Sequence, residues 1–257
     1  MKLLALNPFG TDAYDGVVRA VLERARRPDT EVVVDHLAKG PEFFRYWYFQ
    51  SLATMDIIER VIQAEKQGYQ GVYVACSFEP GVKETREVVD IPVVGGAVPA
   101  VHLALQLGQR FGFITDTELA AVNTYDVFKR YKLDIECAAI QAVELRIEEI
   151  ARDPETNYQR VIEVARKVVS EGADVIIIGC TVVAAFFSSS GGKLPTYLTG
   201  IPILDSNVCS LKTLEMLVDL QESHGITVSR KAYYAKPQNA EGEAFRKNRE
   251  KYGLPPL

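Results

Sequence analysis

Short apolar runs alternate with longer amphipathic stretches along most of the chain. Lys2–Leu6, Glu31–Asp35, Gly71–Ala75, Phe111–Thr115 and Val175–Gly179 have the length and β-branched content of strands. Tyr14–Arg26, Leu52–Gln67, Glu118–Arg130 and Asn157–Ser170 carry helical period, and His102–Leu107 continues the alternation between them. Strand–helix alternation of this kind predicts βαβ units, a mainly parallel sheet and an α/β fold. The apolar run Val175–Ile178, bounded by Asp174 and Gly179, suits a fully buried strand.

One segment occurs twice. Gly68-Tyr-Gln-Gly-Val-Tyr-Val-Ala-Cys76-Ser77 and Gly172-Ala-Asp-Val-Ile-Ile-Ile-Gly-Cys180-Thr181 share an order of parts: a helix closing on glycine, an apolar strand, then cysteine and a hydroxyl residue. Downstream, Ile91-Pro92-Val93 is answered by Ile201-Pro202-Ile203, and the strand-to-loop openings Leu3–Asn7 and Phe111–Thr115 also correspond. Duplication of one α/β unit predicts two pseudo-symmetric lobes. Ligands of open α/β sheets sit at the carboxyl ends of the strands, so the expected site is the cleft between lobes, with Cys76 facing Cys180.

Composition narrows the chemistry. A formal charge of −5 with scattered Lys and Arg argues against a nucleic-acid surface. Asn7-Pro8 breaks the N-terminal apolar run too early for a signal core or membrane span, so a cytoplasmic protein without a membrane partner is expected. Four separated cysteines (Cys76, Cys137, Cys180, Cys209) and three isolated histidines (His36, His102, His224) form no zinc-type spacing, so free thiols and no metal are expected. No dinucleotide fingerprint, phosphate loop, HExxH or GxSxG motif is present; Gly191-Gly192-Lys193 lacks the first glycine of a phosphate loop and reads as a surface loop.

A lone cysteine at a strand end is ordinarily a small core residue. Two at equivalent places, each entering a loop or helix start with free N–H groups, suit an acid and a base on opposite faces of one carbon. The amides around Ser77-Phe78 and Thr181-Val182 would stabilise an enolate-like oxygen, and no cofactor is then needed. Cys137, in the strand-like run Asp134–Ile140, and Cys209, in a helix beginning near Asn207, have no repeat partner and read as core; Asp205 reads as a helix cap. Six aromatics in the eight positions 42–49, which also hold Arg45, suit packing or a subunit interface; the sharper reading is a wall over the substrate, with Arg45 meeting a carboxylate or imide oxygen.

The chain resembles the aspartate/glutamate racemase superfamily, hydantoin (allantoin) racemase branch. The likeness rests on Asn7-Pro8, Ala75-Cys76-Ser77-Phe78-Glu79-Pro80-Gly81-Val82, Arg86-Glu87, Ile91-Pro92-Val93-Val94-Gly95, Arg110–Thr115, Ile178-Gly179-Cys180, Gly225–Arg230 and Tyr234–Pro237. It implies a cofactor-independent racemase acting on a small molecule, with Cys76 and Cys180 catalytic and Asn7, Thr11, Ser77, Phe78, Thr115, Thr181 and Val182 lining the substrate. It further implies a homo-oligomer whose chain returns to its first lobe, giving 1–98 plus 206–257 as one lobe and 99–205 as the other. Two departures stand out: Phe9-Gly10 precede Thr11 in the opening loop, and Thr181-Val182-Val183-Ala184 follow the second cysteine where the family has smaller residues. A 5-substituted hydantoin or allantoin is the leading substrate. The other readings are a maleate cis–trans isomerase, an arylmalonate decarboxylase, against which Cys76 argues, and a non-enzymatic two-lobed binding protein.

Overall fold

The computed structural model describes residues 1–189, 197–198 and 200–256; Gly191-Gly192-Lys193 lies outside them. The strands are β1 (Lys2–Asn7), β2 (Glu31–His36), β3 (Gly71–Val74), β4 (Val93–Val94), β5 (Phe111–Thr115), β6 (Cys137–Ala142), β7 (Val175–Ile178), β8 (Tyr197–Leu198) and β9 (Ile201–Asp205). The helices are α1 (Asp15–Ala25), α2 (Trp47–Lys66), α3 (Val82–Val88), α4 (Val98–Ala104), α5 (Glu118–Tyr131), α6 (Ile147–Arg152), α7 (Pro154–Ser170), α8 (Thr181–Ser189), α9 (Ser206–His224) and α10 (Asn239–Lys251). The first sheet runs β2-β1-β3-β4 and the second β6-β5-β7-β9-β8. Every pairing is parallel except β8 with β9. Leaving aside β8, the two sheets have one strand order, as the sequence repeat predicts. Among the described residues no helix is long and apolar enough to cross a membrane.

Period-two alternation distributes each strand between two cores. In β1 and β3, Leu3, Ala5 and Tyr73 pack with Val18, Leu22, Leu214 and Val218 of α1 and α9. In β5 and β7, Phe111, Phe113, Val175 and Ile177 pack with Ala100, Val101, Val127 and Phe128 of α4 and α5. The opposite positions, Leu4, Leu6, Val72, Val74, Ile114, Ile176 and Ile178, belong to a single further core that spans both sheets and includes Cys76. Both faces of both sheets are therefore covered, which is why the strands read as continuous apolar runs.

The expected helix Leu52–Gln67 begins earlier, at Trp47, because the aromatic run continues straight into its first turn. Cys137 opens β6 and is half-buried against the second sheet's core, while Cys209 is buried in α9. Asp205 is the N-cap of α9, accepting from the Asn207 amide at 2.8 Å.

Corresponding strands stop at corresponding places. The Ala75 amide donates to the Leu6 carbonyl (2.9 Å), and the Gly179 amide donates to the Ile114 carbonyl (2.8 Å). Gly179 is required by packing, since a Cβ there would come within 1.7 Å of the Phe113 ring. Because Phe113 is fully buried, Gly179→Ala should destabilise the fold by at least ~1–3 kcal/mol, read as a lower urea midpoint; an unchanged midpoint would mean the ring can vacate its position at no cost.

Candidate active site

Cys76 lies two residues beyond the end of β3, and Cys180 two beyond the end of β7. Both line one cavity of about 40 Å³, together with Ala75, Ser77, Phe78, Thr181, Val182, Phe9, Phe44, Arg45, Asp116 and Ile147. The sulfurs meet matching donors: the N–H groups of Phe78 and Glu79 reach Cys76, and those of Val182 and Val183 reach Cys180. These are the second and third residues after each cysteine. Ser77 and Thr181 supply walls of the cavity, and the donors to sulfur lie one and two residues further on.

The surroundings of the two thiols are not identical. Cys180 directly precedes α8, so its sulfur sits at a helix N-terminus. Cys76 enters a tight turn in which Glu79 has φ 54° and Gly81 φ 70°. The Glu79 carboxylate holds that turn by accepting from the Ala97 and Val98 amides (3.1 and 2.9 Å) at the start of α4. The Thr181 hydroxyl donates to the Ala75 carbonyl at 3.0 Å, tying the two strand ends together. Behind it, Asn207 donates to the Thr181 carbonyl (2.9 Å) and accepts from the Tyr73 hydroxyl (3.0 Å).

Burial pushes the Cys76 thiol up to about 12, with the nearby charges of Asp116 and Glu79 adding to the effect and the Phe78 and Glu79 amides opposing it. Cys180 is pushed up further by burial and by Asp116, against the amides of Val182 and Val183. Four turn amides do not offset the loss of water, so both cysteines rest as thiols.

The other residues singled out in the sequence divide. Asn7 is buried beneath the opening loop and donates to Asp15, whose other oxygen meets His36 Nδ1 at 2.9 Å; it is absent from the cavity wall. Thr11 accepts from the Ala13 amide at 3.3 Å in a surface turn and is likewise absent. Thr115 is one step removed, its hydroxyl donating to Asp116 Oδ1 at 3.2 Å. The aromatic segment serves two ends: Phe44 and Arg45 face the cavity, whereas Tyr46, Trp47 and Tyr48 are 52, 63 and 70 % exposed.

Asp116, Ala75 and Ile147 line the cavity without having been anticipated. Asp116 was the findable one, as it follows the last residue of β5, at a strand carboxyl end. Its carboxyl is raised by burial, and Arg45 pulls it back. The loop bearing Arg45 is anchored to α5, whose Asn123 donates to the Arg45 carbonyl at 2.7 Å. It also crosses the opening loop at close range, since a Cβ on Gly40 would meet the Gly10 nitrogen at 2.5 Å.

A family model described as Asp/Glu/Hydantoin racemase matches residues 3–214. A hydantoin racemase of Pseudomonas sp. (strain NS671) is 29% identical, covering 94% of each chain. One from Rhizobium meliloti is 27% identical over 93% of this chain and 95% of its own. Among solved structures, allantoin racemase from Klebsiella pneumoniae superposes with a TM-score of 0.84 at 23% identity, over 93% of this chain and 94% of that one. This likeness shows a shared two-lobed fold.

Thiols with raised pKa alkylate slowly because only the thiolate reacts. In the free protein at pH 7.5, Cys76 and Cys180 should be labelled by iodoacetamide at least about tenfold more slowly than a free thiol, followed peptide by peptide by mass spectrometry. Rapid labelling of either at that pH would show a resting thiolate.

Proposed function

The chain belongs to the Asp/Glu/hydantoin racemase family and is a racemase, and we propose that it inverts a stereocentre by proton transfer between Cys76 and Cys180, acting on a 5-substituted hydantoin or allantoin. The observation that carries this reading is the pair of equivalent thiols on one cavity, each met by the amides two and three residues further on. The curated relatives named hydantoin racemase support the substrate class.

In the proposed reaction one sulfur, as thiolate, removes the proton from C5 of the ring while the other, as thiol, delivers a proton to the opposite face. The C5–H bond breaks, its electron pair passes into the adjoining carbonyl, and a new C5–H bond forms with inverted configuration. The thiolate and thiol have then exchanged roles, so the reverse reaction starts from the mirror arrangement. Raised thiol pKa values suit this step: a thiolate conjugate to a pKa near 12 is a stronger base toward a weak carbon acid than an ordinary cysteine. The cost is population, for at pH 8 roughly one such group in 10⁴ is ionised without substrate.

A cavity of about 40 Å³ holds a few waters, whereas small-ligand pockets typically run from roughly 300 Å³ upward. Substrate entry therefore requires the segment carrying Phe44 and Arg45 to move outward. Its return would exclude water from the reacting carbon. We also read the chain as lobes 1–98 plus 206–257 and 99–205, with α9 packing on α1, β3 and β4 of the first and on α4, α8 and β9 at the junction with the second.

Proton exchange in D₂O tests the mechanism. Parent, Cys76→Ala and Cys180→Ala proteins are given each enantiomer of a 5-substituted hydantoin and of allantoin; optical rotation and loss of the C5–H proton signal are followed together. The parent should racemise with deuterium uptake. Each variant should lose racemisation by at least about 10³-fold while exchanging only one enantiomer. Racemisation at the parent rate by either variant overturns the two-thiol mechanism, and conversion of maleate without action on hydantoins overturns the substrate assignment.

A further inference from the structure

Two charged side chains reach the cavity that the proton transfer between thiols does not use. Arg45 comes from the segment before α2, its side chain only 12% exposed. Among the described residues its guanidinium makes no hydrogen bond; its ion-pair partner is Glu148 at 3.9 Å, and that Glu148 oxygen is itself buried without a hydrogen-bond partner. Asp116 comes from the other sheet, is 6% exposed, and receives the Thr115 hydroxyl at 3.2 Å on one oxygen. A planar donor fork and a carboxylate acceptor thus enter one small space from opposite lobes, beside two thiols.

We propose that Arg45 and Asp116 form a specificity-determining pair that reads adjacent C=O and N–H groups of a neutral cyclic ureide, and that Asp116 turns away substrates carrying a free carboxylate. Arg45 donates to a ring carbonyl, and Asp116 accepts from the neighbouring ring N–H. This rests on the reading of the protein as a hydantoin-type racemase. Charge decides against an acidic substrate: among the described residues the one cation lining the cavity is answered by Asp116 and Glu148, so a further carboxylate would be desolvated without net attraction. A neutral ring offering a donor and an acceptor satisfies both groups at once. A ring carbonyl polarised by Arg45 would carry the enolate-like oxygen as it develops, which ties recognition to the chemical step.

Asp116 has a second consequence. Its charge is among the factors raising both thiols. The groups that feel its charge or act on it are Cys76, Cys180 and Arg45; Glu148 pairs with Arg45, Tyr14 lies near Glu148, Cys180, Arg45 and Glu42, and Glu79 acts on Cys76. Of these carboxylates, Asp116 is the one that acts on both sulfurs and lines the cavity. Neutralising it lowers the thiol pKa values, so a rate that depends on thiolate should rise at lower pH.

The test compares parent, Asp116→Asn, Arg45→Gln and Arg45→Lys on a 5-substituted hydantoin and on its ring-opened N-carbamoyl amino acid, which carries a carboxylate. The parent should racemise the ring and not the opened acid. Asp116→Asn and Arg45→Gln should raise KM for the ring by about ten- to a hundredfold, the loss of one charge-assisted hydrogen bond. Arg45→Lys should recover part of that loss. In Asp116→Asn, the rising limb of kcat/KM should also move to lower pH, which a merely structural residue would not cause. Thermal melts confirm that each variant is folded, and Arg45→Lys serves if the Asp116 variant is not. A KM within twofold of the parent for all three variants, an unmoved limb in Asp116→Asn, or equal racemisation of the opened acid overturns the proposal. If the parent racemises the ring and the cysteine variants are inactive, such a result falls on this pair alone; a parent inactive on hydantoins and allantoin overturns both readings.

Discussion

The two sheets share one buried face, and the placement of the cysteines follows from that constraint. Leu4, Leu6, Val72 and Val74 of the first sheet and Ile114, Ile176 and Ile178 of the second enter a single apolar core. Strands buried on both faces must end at the same level if the core is to close without stranding polar backbone, and the Thr181 hydroxyl on the Ala75 carbonyl is the polar tie at that level. Cys76 and Cys180 are the residues at that seam. They are desolvated because of where the strands stop, and they meet free amides because a turn and a helix begin there.

The same seam explains what was legible in the sequence. Continuous apolar runs ending in Cys-Ser and Cys-Thr are a local signal, and parallel strands covered on both faces produce such runs. The correspondence of the repeats was readable because equivalent strands occupy equivalent places in both sheets. Asn7 and Thr11 were assigned to the substrate by resemblance, yet the structure engages Asn7 with Asp15 and turns Thr11 toward the surface. Nothing local distinguishes an asparagine facing a cavity from one supporting the loop beneath it. Asp116 carries a local signal only once the end of β5 is known to the residue; Arg45 stands among aromatics whose bulk suggests packing. Its role depends on α5, more than seventy positions away, holding its carbonyl through Asn123.

Desolvation and charge act in one direction on the thiols, and the backbone acts in the other. Burial and Asp116 raise both; paired amides lower both, and burial wins. In the proposed chemistry that balance suits a base meant for a weak carbon acid. A thiolate stabilised enough to persist would also be a weaker base, so the amides serve better as guides for the sulfur than as a sink for its charge.

Pseudo-symmetry ends at the substrate. In the proposed chemistry two equivalent thiols suit inversion, since a racemase must accept either enantiomer and return the other with comparable ease. A ring with one stereocentre is not itself symmetric, however, and a site with two-fold symmetry in every residue would hold it equally well in either of two orientations, one of them unproductive. Some residues must break the symmetry while leaving the sulfurs equivalent. Arg45 precedes α2 and Asp116 follows β5, positions that do not correspond in the repeat, and the two carry opposite charge. Fixing the ring by its donor and acceptor edge at these two points would leave its reacting carbon between the sulfurs for both enantiomers, with the substituent at that carbon directed toward the Phe44 side of the cavity. On the proposed reading the duplicated parts supply the chemistry and the unduplicated parts the orientation.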